Sequence, residues 1–319
     1  MNSKYVYISS CCNDGGIHIF KLKNNLLCKE SLFECDSPMY SIYGQDRLWI
    51  LLRAPFADND NSGIFECSVN KDGHLTKESE IFSTEGVVGC HLCCDEGEIY
   101  AANYVSGSIT KLGKKLVIHE GNSVHPPRQE KAHTHFVCIS PDGKYIITVD
   151  LGMDAIIIYD KDLNEISRVN APLGNGPRHL AFSDNGRLCY CADELSSTVS
   201  VYSYNNGKLT YLSSHSSLPK SFKGKSTIAA IRQNNGYVYT SNRGHDSIAV
   251  FKAENEGLSL VNIFSCGGNG PRDFDIADNT LISANEVDGS VTIFDISDIQ
   301  KPELKQKIHV KNALCVTIV

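Results

Sequence analysis

The sequence predicts an all-β chain closed into a seven-bladed β-propeller with four antiparallel strands per blade. Three observations predict it. Short runs rich in Val, Ile, Tyr and Phe, punctuated by Gly, Asn and Asp, take the place of any long helical periodicity. A hairpin pattern recurs seven times, beginning near Tyr5, Leu48, Ile99, Tyr145, Leu188, Gly236 and Leu281, at intervals of roughly 43 to 51 residues, the spacing of propeller blades. The two ends of the chain are complementary. The Tyr5 hairpin has no strand before it, and ALCVTIV at 313–319 reads as a strand with no hairpin after it.

The unit is clearest in GYVYTSNRGHDSIAVF at 236–251, a strand, a polar turn and a second strand. A further strand precedes most hairpins and ends in a turn such as SPDG at 140–143 or SDNG at 183–186. In such turns Pro presets φ and Gly accepts positive φ, which favours a tight reversal. A fourth strand follows, as LTYLS does at 209–213. Each blade then reads a-b-c-d, with strand a innermost. The C-terminal strand a joins the N-terminal hairpin, closes the ring and removes an exposed edge. One propeller domain over residues 1–319 is expected.

Bulk properties narrow the partners. The chain has 319 residues, 41% of them hydrophobic, enough for a large core. A net charge of −7 gives no global basic footprint for nucleic acid or anionic membrane, and leaves room for a local positive pocket. The start, MNSKYVYISS, lacks the apolar core of a leader peptide, and no apolar run reaches membrane-spanning length. The expectation is a cytoplasmic protein. Thirteen cysteines, an odd number, are scattered through strand-like runs, as at Cys138, Cys189 and Cys191. They read as small buried hydrophobes rather than a disulfide framework. Cys90, Cys93 and Cys94 have no second pair at zinc-site spacing.

Topology gathers the unusual residues. In an antiparallel blade the start of strand a and the b–c turn lie at the same end. Openings of strand a carry His133 and His135, Arg178 and His179, and Arg272 and Asp273. The b–c turns carry Asp193 and Glu194, Arg243 and His245, and Glu286. Arginines, histidines and carboxylates from separate blades are thus predicted to converge near the channel, a grouping suited to acid–base chemistry on an anionic substrate. GNGPR occurs at 174–178 and again at 268–272, with Glu194 and Glu286 following at matching places. Descent of the repeats, with Arg and Glu kept as structural ion pairs, is the other reading of that echo.

The segments HTHFVCISPDGKYIITVDLGMDAIIIY, GNGPRHLAFSDNGRLCYCADELSSTVSVY and YVYTSNRGHDSIAVF resemble the lactonase family of seven-bladed propellers. That family includes bacterial propeller-type 6-phosphogluconolactonases and fungal carboxymuconate-lactonizing enzymes. The resemblance runs from about His133 to Phe294 and continues, more weakly but in register, over the first two blades. It implies a site of one His, two Arg and one Glu. The His stands six residues before the Pro of SPDG, which is His135. The Arg of GPRH is Arg178, the Glu of the next b–c turn is Glu194, and the Arg of SNRGH is Arg243. One departure is visible. Family members often carry an acidic residue in the strand before the SNR hairpin, where this chain reads STIAAI at 226–231. This leaves open what supports Arg243, and bears on substrate identity.

The resemblance implies a hydrolase acting on a small anionic sugar lactone, 6-phosphogluconolactone first, without cofactor or metal. Another sugar lactone, a lactonizing cyclase reaction and a non-catalytic binding scaffold are the alternatives, since fold by itself does not choose function. In the hydrolase reading His135 or Glu194 is the general base, and the residues leave that choice open. Arg178 and Arg243 bind the anionic group and the oxyanion. His133, His179, Arg272 and Glu286 are expected to help bind substrate, His133 because two-residue spacing puts it on the side of its strand that His135 occupies.

Rival motifs fail on spacing. His133 and His135 supply half of a metal site with no identifiable third ligand. Asp58, Asp60 and Gly63 open like a calcium loop, but Val69 stands where Glu is required. Gly224-Lys225-Ser226 ends like a phosphate-binding loop, but Pro219 occupies the place of its first Gly.

Overall fold

The computed structural model describes residues 4–319. Met1, Asn2 and Ser3, at the head of the segment read for a leader, lie outside the described residues. The chain forms seven antiparallel sheets in sequence order, the expected propeller. Among the described residues no helix is long and apolar enough to cross a membrane.

Blades 2 to 7 start at their innermost strands: Pro38–Gly44, Gly89–Asp95, Thr134–Ile139, Pro177–Phe182, Thr227–Asn234 and Pro271–Ala277. Blade 1 takes its strand a from the other end of the chain. Ala313–Ile318 pairs with Lys4–Ser10, with Val6 opposite Ile318 and Ile8 opposite Val316. Two carboxylates of blade 7 reinforce this closure. Asp273 accepts a hydrogen bond from the Val316 backbone N–H and Asp275 one from Ile318, each at 3.1 Å. Arg232 from blade 6 neutralises them, at 2.9 Å from Asp273 and 3.7 Å from Asp275. Asp273, which the sequence placed beside the site, thus serves ring closure. In blade 2 the outer strand is broken: Asn61–Val69 pairs with Leu75–Lys77 at one end and with Phe82–Val87 at the other.

The strands alternate because each sheet is covered on both faces by neighbouring blades. Seven hydrophobic clusters result, one at each blade-to-blade junction. The junction of blades 4 and 5, for example, packs Phe136, Ile147, Val149, Ile156 and Ile158 against Leu180, Cys189, Cys191 and Tyr202. The aromatics serve as packing: Tyr7, Tyr100, Tyr190, Tyr202, Phe65 and Phe251 are fully buried. The cysteines are unpaired, and six of them are buried in these junctions and strands. Burial pushes the thiols of Cys90 and Cys138 up to about 12, the condition of inert core residues.

One irregularity is common to all seven innermost strands. Each carries an extra residue near its start, a β-bulge against strand b. Pro38 faces Leu52 and Tyr40 faces Leu51, so Met39 is unpaired. The equivalents are Cys90, His135, Arg178, Arg272 and Leu314. In blade 6 Ala229 and Ala230 together face Ser241. A bulge bends its strand and re-aims a side chain, and a ring of them re-aims one residue per blade.

Candidate active site

Five of these bulge residues, Met39, Cys90, His135, Arg178 and Arg272, line a cavity of about 250 Å³ at one end of the channel. Val88, Tyr104, Arg128, Glu194 and Arg243 complete its wall. The volume is near the lower end of the range for small-molecule pockets. Beneath it lies a hollow of about 10 Å³, room for about one water, bordered by Tyr40, His179, Asp273 and Leu314.

The loops that open the inner strands are held by carboxylates of the preceding blade. Asp154, in the b–c turn of blade 4, accepts from the backbone N–H groups of Gly174 and Gly176 at 2.7 Å each, and from Ser123 Oγ at 2.5 Å. Asp246 does the same one repeat later, accepting from Gly270 at 2.9 Å. Gly176 has φ of 63°, and a Cβ there would approach Leu195 to 2.6 Å. This explains the recurring GNGPR. Glycine supplies left-handed backbone and an N–H for the carboxylate, Pro opens the strand at a position needing no donor, and Arg takes the bulge. Hydrogen bonds to a charged acceptor contribute about 1.5–3 kcal/mol each, so Asp154 positions Arg178 firmly. Asp154→Ala is therefore expected to lower kcat/KM by about tenfold to a hundredfold through misplacement of Arg178. A steady-state comparison with wild type checks this, and unchanged kinetics would remove Asp154 from the positioning role.

Glu194 is the centre of the site. Arg128 Nη2 donates to its Oε1 at 2.6 Å, Arg243 Nη2 lies 3.1 Å from the same oxygen, and Arg178 Nε lies 3.0 Å from Oε2. Burial works to raise the Glu194 carboxyl, but Arg243, Arg178 and Arg128 together hold it well below the usual carboxylate range. Arg178 is buried, and its Nη1 donates to the Ala229 carbonyl at 2.7 Å and to His179 Nε2 at 3.2 Å. Burial first, then Arg243, lowers Arg178 to about 9, so it stays charged at neutral pH. Arg272 pairs with Glu286 at 3.1 Å on the rim. Four guanidiniums thus face two carboxylates, and the cavity is positive within an acidic protein.

His135 faces this cluster as a neutral imidazole. Burial, then the positive charge of Arg178, pushes it well below the ordinary histidine value, and Nδ1 is buried without a hydrogen-bond partner. His91 and His179 are lowered in the same way, by burial first. Their rings sit 5.2 Å apart, with His135 5.3 Å from His179.

The structure brings His135, Arg178, Glu194 and Arg243 together around one cavity, with Arg272 at its edge. Three other expected residues lie elsewhere. His133 does not line the cavity: its ring stacks on Tyr104 and its Nδ1 is 3.0 Å from the Tyr104 carbonyl oxygen. The reason is the bulge at His135, which breaks the two-residue alternation on which the expectation for His133 rested. His179 borders the lower hollow rather than the cavity, so it is not placed to hold a phosphate at the mouth. Glu286 stands on the rim and acts through Arg272. The missing acid in strand a of blade 6 is also explained. Arg243 is held by Glu194 itself and by the Ile228 carbonyl at 3.3 Å.

Arg128 escaped the sequence reading. It lies in residues 119–133, the longest connection between blades. The signal available was the length of that insertion together with its sequence Pro126-Pro127-Arg128.

The lactonase, seven-bladed β-propeller family model matches residues 5–318. The chain belongs to this family. An uncharacterized protein of Staphylococcus aureus is 33% identical over 322 residues, covering 92% of this chain and 93% of that protein. Among solved structures, the periplasmic gluconolactonase of Pseudomonas aeruginosa superposes with a TM-score of 0.88 at 23% identity, covering 99% of each chain. A Bacteroides fragilis protein provisionally designated a 6-phosphogluconolactonase gives 0.89 at 23% identity, covering 100% of this lactonase-family chain and 98% of its own. At such identities the two structures speak to the fold alone.

Proposed function

We propose that this lactonase-family protein hydrolyses a sugar lactone and that its substrate is 6-phosphogluconolactone. The observation that carries the reading is a neutral, buried His135 facing four guanidiniums across a cavity large enough for one sugar ring.

Lactone hydrolysis needs water delivered to an ester carbonyl carbon and a home for the resulting oxyanion. Neutral His135 accepts the proton of the attacking water, and its lowered pKa keeps it competent at neutral pH. Arg178, fixed at the cavity floor, and Arg272 beside it stabilise the oxyanion. As the ring C–O bond breaks, the imidazolium returns its proton to the departing alkoxide, leaving a carboxylate and a hydroxyl. Between the two candidate bases, Glu194 is the weaker. Three guanidiniums occupy its oxygens and depress its basicity, so its part is to anchor the arginines.

The test is hydrolysis of freshly generated 6-phosphogluconolactone, coupled to oxidation of the phosphogluconate formed, with spontaneous opening subtracted. Glucono-δ-lactone is run in parallel. Turnover well above background, with preference for the phosphorylated lactone, is expected. A rate equal to background with both lactones would overturn the reading.

A further inference from the structure

We infer that Arg128, together with the outer N–H groups of Arg243, forms a subsite for a phosphate monoester at the mouth of the cavity. The inference rests on the lactone-hydrolase reading above and deepens it by naming the part of the substrate that this end of the cavity takes.

Depth comes first. Relative side-chain exposure rises from 3% at Arg178 through 20% at Arg243 and 23% at Arg272 to 42% at Arg128. The arginines are graded from floor to mouth, with Arg128 outermost. A lactone whose carbonyl sits by His135 and Arg178 presents its far end to Arg128.

Charge comes second. Arg128 and Arg243 both reach Oε1 of Glu194, at 2.6 and 3.1 Å. Two guanidiniums on one carboxylate oxygen leave excess positive charge on that side. A phosphate monoester carries about −1.5 to −2 near neutral pH and offsets it.

Donor count comes third. Arginine offers five N–H groups. Arg128 uses Nη2 alone, on Glu194 and on the Tyr104 hydroxyl at 3.3 Å. Its Nε and Nη1 have no protein acceptor among the described residues, and the Nε of Arg243 is buried without one. Unused guanidinium donors beside one another suit a tetrahedral oxyanion, which accepts forked hydrogen bonds.

The backbone beneath is rigid, so the fork is pre-organised. Gln129 is fully buried. Its Nε2 donates to the Leu151 carbonyl at 2.8 Å, and its Oε1 accepts from the His125 N–H at 3.1 Å. Ser123 ties the same loop to Asp154.

The experiment compares wild type, Arg128→Ala and Arg128→Lys on 6-phosphogluconolactone and glucono-δ-lactone, and measures inorganic phosphate binding by calorimetry. In Arg128→Ala, kcat/KM for the phosphorylated lactone is expected to fall tenfold to a hundredfold further than for the unphosphorylated one, chiefly through KM. Inorganic phosphate binding weakens by a similar factor. Arg128→Lys, which keeps the charge and loses the fork, recovers part of the loss. Equal losses on both lactones would overturn the subsite, because Arg128 would then act only through Glu194. If wild type opens neither lactone, the hydrolase reading fails by itself, and calorimetry still decides the subsite: phosphate affinity unchanged by Arg128→Ala overturns it.

Discussion

His135→Gln is expected to lower kcat by about a hundredfold to ten-thousandfold, the usual contribution of a positioned general base. Glutamine keeps a polar side chain of similar reach and removes the basic nitrogen. The pH profile of the wild type carries the same prediction. Only neutral imidazole accepts a proton, so activity is constant above the folded pKa of His135 and falls as pH drops through it. Burial and Arg178 place that pKa well below the ordinary 6.5, so the rate stays level from neutral pH down past 6.5 before declining. A profile that already falls on approaching pH 6.5 from above, or a His135→Gln variant with wild-type turnover, would take the base role away from His135.

Glu194→Gln is expected to cost about 3 to 5 kcal/mol of stability, the range for removing one partner from a buried ion pair. Arg178, Arg243 and Arg128 then crowd one another without the carboxylate that draws them together. Urea unfolding of wild type and variant measures the loss. Its pH dependence separates two contributions. Below about pH 6.5 the unfolded chain takes up protons that buried His91, His135 and His179 refuse in the fold, so stability falls as pH falls. Below the ordinary glutamate value of 4.5 the unfolded chain also protonates Glu194, while the folded carboxyl, held far lower, stays ionised. Stability falls again in that window. The variant lacks the second fall and keeps the first. Should Glu194→Gln retain wild-type stability yet lose turnover as steeply as His135→Gln, Glu194 would be the base and the anchoring role would be wrong.

The legibility of the site differs from residue to residue. His135, Arg178, Glu194 and Arg243 sit in repeat units whose topology already sends strand openings and b–c turns to one face, so the hairpin count and the motifs were enough to gather them. Arg128 belongs to no repeat. Its arrival at Glu194 depends on a loop anchored through Gln129 and Ser123 to residues of blade 4, which pattern reading does not trace.

The sequence by itself determined the blades, their number and the closing of the ring, because two-residue alternation, turn chemistry and a fixed repeat are local properties of the chain. It also determined the composition of the site. The tertiary structure decided which of those residues face substrate. The bulges at His135, Arg178 and Arg272 appear only when strand a is paired with strand b, and one extra residue re-aims every side chain near it. That is why His133 turned to Tyr104, why His179 went to the lower hollow and why Asp273 was drawn into ring closure. The protonation states are tertiary as well. A histidine becomes a neutral base and a glutamate a permanent anion only after burial and the neighbouring guanidiniums have acted on them.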